Sequence, residues 1–216
     1  DECAAFFARP PERRDIFSTW VGLRPLIKPE GEGDAAETKS ISREHSVRVR
    51  PDGRVTVTGG KWTTYRSMAQ DVLDRCVAAG LLSPRGPCVT AGTRLIGAPT
   101  GGRDAASDAA DAPPLMRYGD EAVRVQALPG AGREIAPGLT EAMVRFAVRH
   151  EHARCVEDVL ARRSRLLFLD AGAALAAADA VADILASETA APPRTDAFRS
   201  LARRYRHPEG AEAVTP

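Results

Sequence analysis

One feature constrains this chain more than any other: strict alternation that gives way, across two glycines, to helical spacing. Ser46-Val47-Arg48-Val49-Arg50 alternates polar and apolar residues, Pro51-Asp52-Gly53 interrupts, and Arg54-Val55-Thr56-Val57-Thr58 alternates again. Two period-two runs around a Pro-Asp-Gly turn predict a β-hairpin. After Gly59-Gly60-Lys61 the apolar positions Trp62, Tyr65, Ala69, Val72 and Cys76 recur at steps of three and four, and Gly80 supplies a stop. The spacing predicts a helix that opens directly on the glycines. Glycine lets a backbone approach a ligand without a Cβ in the way. A helix start presents unpaired N–H groups and partial positive charge. Such a junction suits an anion, and Lys61 adds a full positive charge at the same place.

Upstream, Ile16 to Ile27 reads as a buried strand ending near Gly22-Leu23-Arg24-Pro25, because proline removes a ladder donor. Residues 28–39 read as an exposed loop, and residues 97–114, small, polar and proline-bounded, as a linker or long surface loop. The second half is rich in alanine, which favours helix. Its clearest pattern predicts one helix from Thr140, as N-cap, to Arg163. Met143, Phe146, Ala147, His150, Ala153, Val156 and Leu160 form its apolar stripe. A further helix is expected over Ala173–Ala186, and Asp196 to Tyr205 reads as a basic, amphipathic tail. The residues thus describe an α/β piece with its own hairpin, a linker and an all-helical cap.

Composition narrows the classes. At 216 residues and 44% hydrophobic, the chain can bury one large core or two small ones. Lys plus Arg number 30 against 29 Asp plus Glu, so no whole-chain field favours nucleic acid. The four cysteines, Cys3, Cys76, Cys88 and Cys155, form no C-x-x-C pair; neither zinc nor a disulfide framework is suggested, and a reducing cytosol is expected. No apolar run reaches the roughly 20 residues of a membrane span. The start, Asp1-Glu2-Cys3, lacks a signal-peptide pattern and reads as cut from something longer.

Gly22-Leu23-Arg24-Pro25-Leu26, Ile41-Ser42-Arg43-Glu44-His45 and Val57-Thr58-Gly59-Gly60-Lys61-Trp62-Thr63-Thr64-Tyr65-Arg66 together resemble the FAD-dependent, quinone-linked glycerol-3-phosphate dehydrogenases. Downstream, Tyr118-Gly119, Val148-Arg149-His150-Glu151 and Asp158 to Arg163 resemble that family's helical C-terminal domain. The resemblance implies the C-terminal portion of such an enzyme: an α/β (α+β) fragment of an FAD-dependent oxidoreductase fold followed by an all-α domain. Its boundaries are residues 1–85 for the last part of the FAD/substrate domain, 86–114 for a linker, 115–190 for the helical domain and 191–216 for a basic tail.

The implied activity oxidises sn-glycerol 3-phosphate to dihydroxyacetone phosphate, with hydride passing to FAD and electrons to quinone. By the resemblance, Arg24 holds or orients the substrate phosphate, Arg43 matches a recurrent arginine in the substrate region, and Lys61 stands beside flavin and substrate as the catalytic candidate. Gly59, Gly60, Trp62 and Thr63 match the segment that passes the flavin ring. The physics agrees, since a guanidinium fork suits phosphate and a lysine at a helix start stabilises the charge of a reduced flavin. No G-x-G-x-x-G followed by an acidic residue occurs in the chain, so the diphosphate-binding half is expected elsewhere, and this portion alone is expected to be inactive. The partners implied are glycerol 3-phosphate, quinone and that N-terminal FAD-binding half; homodimer formation stays open. A cytoplasmic location is expected, with peripheral contact on the inner face of the membrane if the basic tail binds lipid.

Bland readings stand beside these. Gly59-Gly60-Lys61 also suits a plain hairpin-to-helix turn with a solvated lysine, and Arg24 a surface arginine at a strand end. His150 reads as a histidine hydrogen-bonded in a helical core, since no second histidine stands four residues on. Asp158 with Arg162 reads as a surface i,i+4 pair, Tyr118-Gly119 as packing and turning, and the tail as frayed. The rival functions are a stand-alone helical interaction module carrying a degenerate flavoenzyme remnant, and another FAD-dependent amine or hydroxyacid oxidase.

Overall fold

The computed structural model describes residues 6–23, 44–98 and 113–206. Two compact units emerge, one formed by Gly22–Leu95 and the other by Asp1–Val21 with Ile96–Pro216. The first contains the expected hairpin, β1 (Ser46–Val49) and β2 (Val55–Thr58), antiparallel with Val47 opposite Val57. Its turn is closed by Gly53 N–H donating to Arg50 O at 2.9 Å, with Gly53 at φ 80°. A 3-10 turn at Trp62–Thr64 leads into helix α1 (Tyr65–Ala78). The helix ends where expected: Gly80, at φ 69°, donates to Val77 O. Only Val47 and Cys76 of this unit's described hydrophobic residues are buried.

The second unit carries the core. It contains a 3-10 segment (Pro114–Glu121), α2 (Ala122–Gln126), and a short hairpin of β3 (Glu134–Ala136) and β4 (Leu139–Thr140). After these come α3 (Glu141–His150), a π-helical turn (Asp158–Arg163), α4 (Leu166–Leu169), α5 (Ala171–Glu188) and α6 (Thr195–Tyr205). Thr140 caps α3, its hydroxyl accepting from Met143 N–H at 3.4 Å. Asp170 caps α5, accepting from Ala173 N–H at 2.8 Å. The buried face of α5 is Ala171, Ala174, Ala177, Ala178, Val181, Ile184 and Leu185, and α3 and α6 both pack against this helix. Small side chains at these positions let neighbouring backbones approach closely.

Four expectations are corrected. Ile16 to Leu23 is not a buried strand: the segment is extended and largely exposed, and residues 24–27 lie outside the described residues. Among the described residues no strand pairs with it, and its hydrogen bonds go to helical residues. Thr19 N–H donates to Tyr205 O at 2.7 Å, and the Ser18 hydroxyl donates to Leu167 O at 2.9 Å. Trp20 meets Phe168 edge-on at 5.6 Å.

The single helix over 140–163 is in fact two pieces. Ala147 O accepts from both Glu151 and Ala153 N–H, His152 takes φ 58°, and the Asp158 carboxylate accepts from Arg154 and Cys155 N–H. The chain then restarts as a π turn, with Ser164 N–H donating five residues back to Val159 O. His150 consequently ends α3 at the surface instead of lying in the core; its ring lies 4.8 Å from Phe146 and its Nδ1 meets the Arg124 guanidinium at 3.3 Å. The tail, finally, is not frayed over 195–205. Phe198 and Ala202 of α6 are fully buried, and Arg199 pairs with Asp179 at 2.6 Å.

Two further expectations hold. Asp158 and Arg162 pair at 3.0 Å, and Tyr118-Gly119 packs and turns. Tyr118 meets Phe146 edge-on at 5.3 Å, while Gly119 at φ 53° passes so close that a Cβ there would lie 1.9 Å from Gly97 O. Among the described residues, no helix is long and apolar enough to cross a membrane.

Candidate functional site

The junction between β2 and α1 is built by consecutive left-handed glycines. Gly59 has φ 75° and Gly60 φ 92°, a region side chains rarely adopt. Gly60 is also packed: a Cβ would meet Met68 Sδ at 2.4 Å and His45 Cβ at 3.3 Å. The glycines therefore turn the chain tightly against the first turns of α1. Lys61 follows in extended conformation, φ −129° and ψ 147°, and its carbonyl accepts from Thr64 N–H at 3.0 Å and from the Thr64 hydroxyl at 3.1 Å.

No side chain caps this helix start, so the N–H groups of Trp62 and Thr63 have no acceptor among the described residues. Lys61 is exposed and pairs with no acid among them either. Trp62, 86% exposed, stacks on Tyr65 with ring centroids 5.4 Å apart. Donors and a cation without a partner among the described residues thus lie beside an exposed aromatic pair. Arg66, by contrast, is engaged by Gln70, Thr90 and Ser67 at 2.9 to 3.1 Å.

A polar lash holds the hairpin to α1. His45 Nε2 lies 3.0 Å from Asp71 Oδ2, Arg75 Nε donates to Asp71 Oδ1 at 3.0 Å, and Arg75 reaches Val47 O at 3.4 Å. The Arg75 guanidinium, followed by His45, lowers the Asp71 pKa below the usual carboxylate value. Sequence reasoning missed this lash. The available signal was the i,i+4 spacing of Asp71 and Arg75, but nothing in the spacing joined either to His45, 26 residues away. Gly59, Gly60, Lys61, Trp62 and Thr63 are therefore brought together in one turn. Arg24 and Arg43 lie outside the described residues.

Residues 88–193 match the C-terminal domain of alpha-glycerophosphate oxidase. Over 204 residues the chain is 40% identical to the mitochondrial glycerol-3-phosphate dehydrogenase SDP6 of Arabidopsis thaliana, covering 82% of this chain and 32% of that protein. It is 39% identical over 160 residues to glycerol-3-phosphate dehydrogenase 1 of Mycobacterium tuberculosis, covering 71% of this chain and 31% of the relative. Against the mitochondrial glycerol-3-phosphate dehydrogenase of Mesocricetus auratus it is 34% identical over 196 residues, covering 82% and 26%. The chain spans about a third, or less, of the length of these relatives.

Proposed function

The chain belongs to the glycerol-3-phosphate dehydrogenase family, matching its C-terminal portion, and from that premise we propose that residues 59–66 supply one wall of a flavin and substrate site. The observation that carries the reading is the uncapped turn, where two left-handed glycines meet two N–H donors and a Lys61 ammonium that have no partner among the described residues. These residues fit an anionic planar group, since nothing in the turn satisfies the donors and no Cβ stands at Gly59 or Gly60. A bound FAD would supply the hydride acceptor for oxidation of the secondary alcohol of sn-glycerol 3-phosphate to dihydroxyacetone phosphate, with the hydroxyl proton leaving to a base and the electrons going on to quinone.

Within that reaction the chain's own residues hold charge and position. The Lys61 ammonium and the Trp62 and Thr63 N–H groups favour negative charge developing beside them. The glycines keep the backbone near enough for those donors to reach. The Asp71–Arg75–His45 lash fixes the hairpin and with it the direction of the turn. Arg24 and Arg43 are proposed to hold the substrate phosphate, a role suited to the planar guanidinium fork. Contact with a membrane, if this portion makes it, falls to exposed Arg203 and Arg204, because Phe198 and Ala202 of the same helix face the core.

The test joins this chain to the FAD-binding portion of a family relative and follows glycerol-3-phosphate-dependent dye reduction. Lys61→Ala is expected to lower kcat by about a hundredfold or more, the usual effect of losing one electrostatic stabiliser. Undiminished turnover would remove the lysine from the site.

A further inference from the structure

In the unit formed by 1–21 and 96–216, the 3-10 segment Pro114–Glu121, α3 and the π turn enclose a cavity of about 130 Å³. Its polar lining includes Arg117, Tyr118, Glu151 and Arg163, and Met143 and Val159 contribute apolar wall. Two of the polar groups are unused. Among the described residues, neither the Arg117 guanidinium nor the Tyr118 hydroxyl has a hydrogen-bond or ion-pair partner. The other two are occupied with each other: Arg163 donates to the Glu151 carbonyl at 3.0 Å, and its Nε lies 3.9 Å from Glu151 Oε2. Arg163 thus offsets Glu151, and Arg117 adds a second cation to the lining.

We propose that this cavity binds a small organic carboxylate, with its head on Arg117 and the Tyr118 hydroxyl and its hydrocarbon body against Met143 and Val159.

Size, chemistry and rigidity agree. A cavity of roughly 150 Å³ accommodates a six-carbon ring, so about six heavy atoms fit here. A guanidinium and a phenolic O–H are charge-assisted and neutral donors for one carboxylate. Burial pushes the Tyr118 phenol up to about 12, so it keeps its proton and remains a donor. The mixed lining, apolar wall with a few convergent polar groups, is the usual make-up of a small-molecule site. One wall is a π turn, an irregularity often found at functional sites; its Ser164-to-Val159 bond holds that wall in place. All of its residues lie in the unit that does not contain residues 59–66.

The three methionines make a direct test on the full chain. With methyl-13C methionine, Met143 reports on the cavity and Met68, in the other unit, serves as the internal control. Titration with butyrate at constant ionic strength is expected to move the Met143 methyl resonance saturably, with a millimolar Kd, and to leave Met68 unmoved. Arg117→Gln, at an exposed residue without partners among the described residues, is expected to keep the spectrum of a folded chain and raise Kd at least about tenfold, the loss typical of a charged hydrogen bond. Tyr118→Phe is expected to weaken binding by a smaller factor. A Met143 signal that does not respond or does not saturate would overturn the site. So would an unchanged Kd in Arg117→Gln, and inorganic phosphate binding as tightly as butyrate would overturn the assignment to organic carboxylates.

Discussion

Truncating Phe198 tests whether α6 is part of the core or an appendage. The ring is fully buried, in a helix that packs along α5 and approaches α4. A buried phenylalanine removes about 150–250 Å² from water, worth about 4–6 kcal/mol at 25 cal/mol/Å². Phe198→Ala keeps the first methyl and leaves a cavity that closes only in part, so the expected loss is about 3–5 kcal/mol. That is a large share of the roughly 5–15 kcal/mol by which domains are stable. The control is Arg203→Ala with Arg204→Ala, both exposed on the same helix, expected within about 0.5 kcal/mol of the parent. Urea unfolding followed by far-UV circular dichroism gives both numbers. A loss below about 1 kcal/mol for Phe198→Ala, with the slope of the transition unchanged, would refute the packing argument and return residues 195–205 to a loosely held tail.

Three further perturbations probe other parts of the account. Gly60→Ala places a Cβ on Met68 at φ 92° and should cost about 1–3 kcal/mol; adding Met68→Ala should recover the contact part in a double-mutant cycle but not the backbone part. Glu151 has its pKa raised above 4.5 by burial, so its contribution to stability is complete below that pH and is lost as pH rises through the folded value. Glu151→Gln should therefore match the parent in acid and exceed its melting temperature at neutral pH. Glu188 is the opposite case. Arg149, then Arg145, lower its pKa below 4.5, so the stability it contributes is present above that value and is lost as pH falls through the folded one. Glu188→Gln should flatten the acid limb of a melting-temperature profile; an unchanged limb would show that these pairs contribute nothing.

What could be read in advance was local. The Pro51-Asp52-Gly53 turn, the stop at Gly80, the Thr140 cap and the alanine-rich α5 each carry their signal within a few residues, and each formed as expected. The errors came from distance. Ile16 to Leu23 has strand-like composition, but composition cannot show that its hydrogen-bond partners are Leu167 and Tyr205. The break after His150 contains no glycine or proline. It is made by Arg163 and Asp158 reaching back to Glu151, Arg154 and Cys155. Phe198 and Ala202 were spaced for burial, yet their arginine neighbours suggested a surface. The site divides the same way. Gly59-Gly60-Lys61 is legible as a hairpin-to-helix turn, whereas His45 in the lash and Arg163 in the cavity beside Tyr118 come from elements that no spacing joins to their partners.

The central claim is that this chain carries one wall of a flavin site, and its most direct test is retained cofactor. The chain and the FAD-binding portion of a family relative would be co-expressed, purified through a tag on this chain, and assayed for flavin absorbance and its bleaching by glycerol 3-phosphate. Co-purified flavin that bleaches with substrate, and whose bleaching slows in Lys61→Ala, is the predicted result. Two folded portions that associate without flavin, or flavin indifferent to both substrate and Lys61, would contradict it.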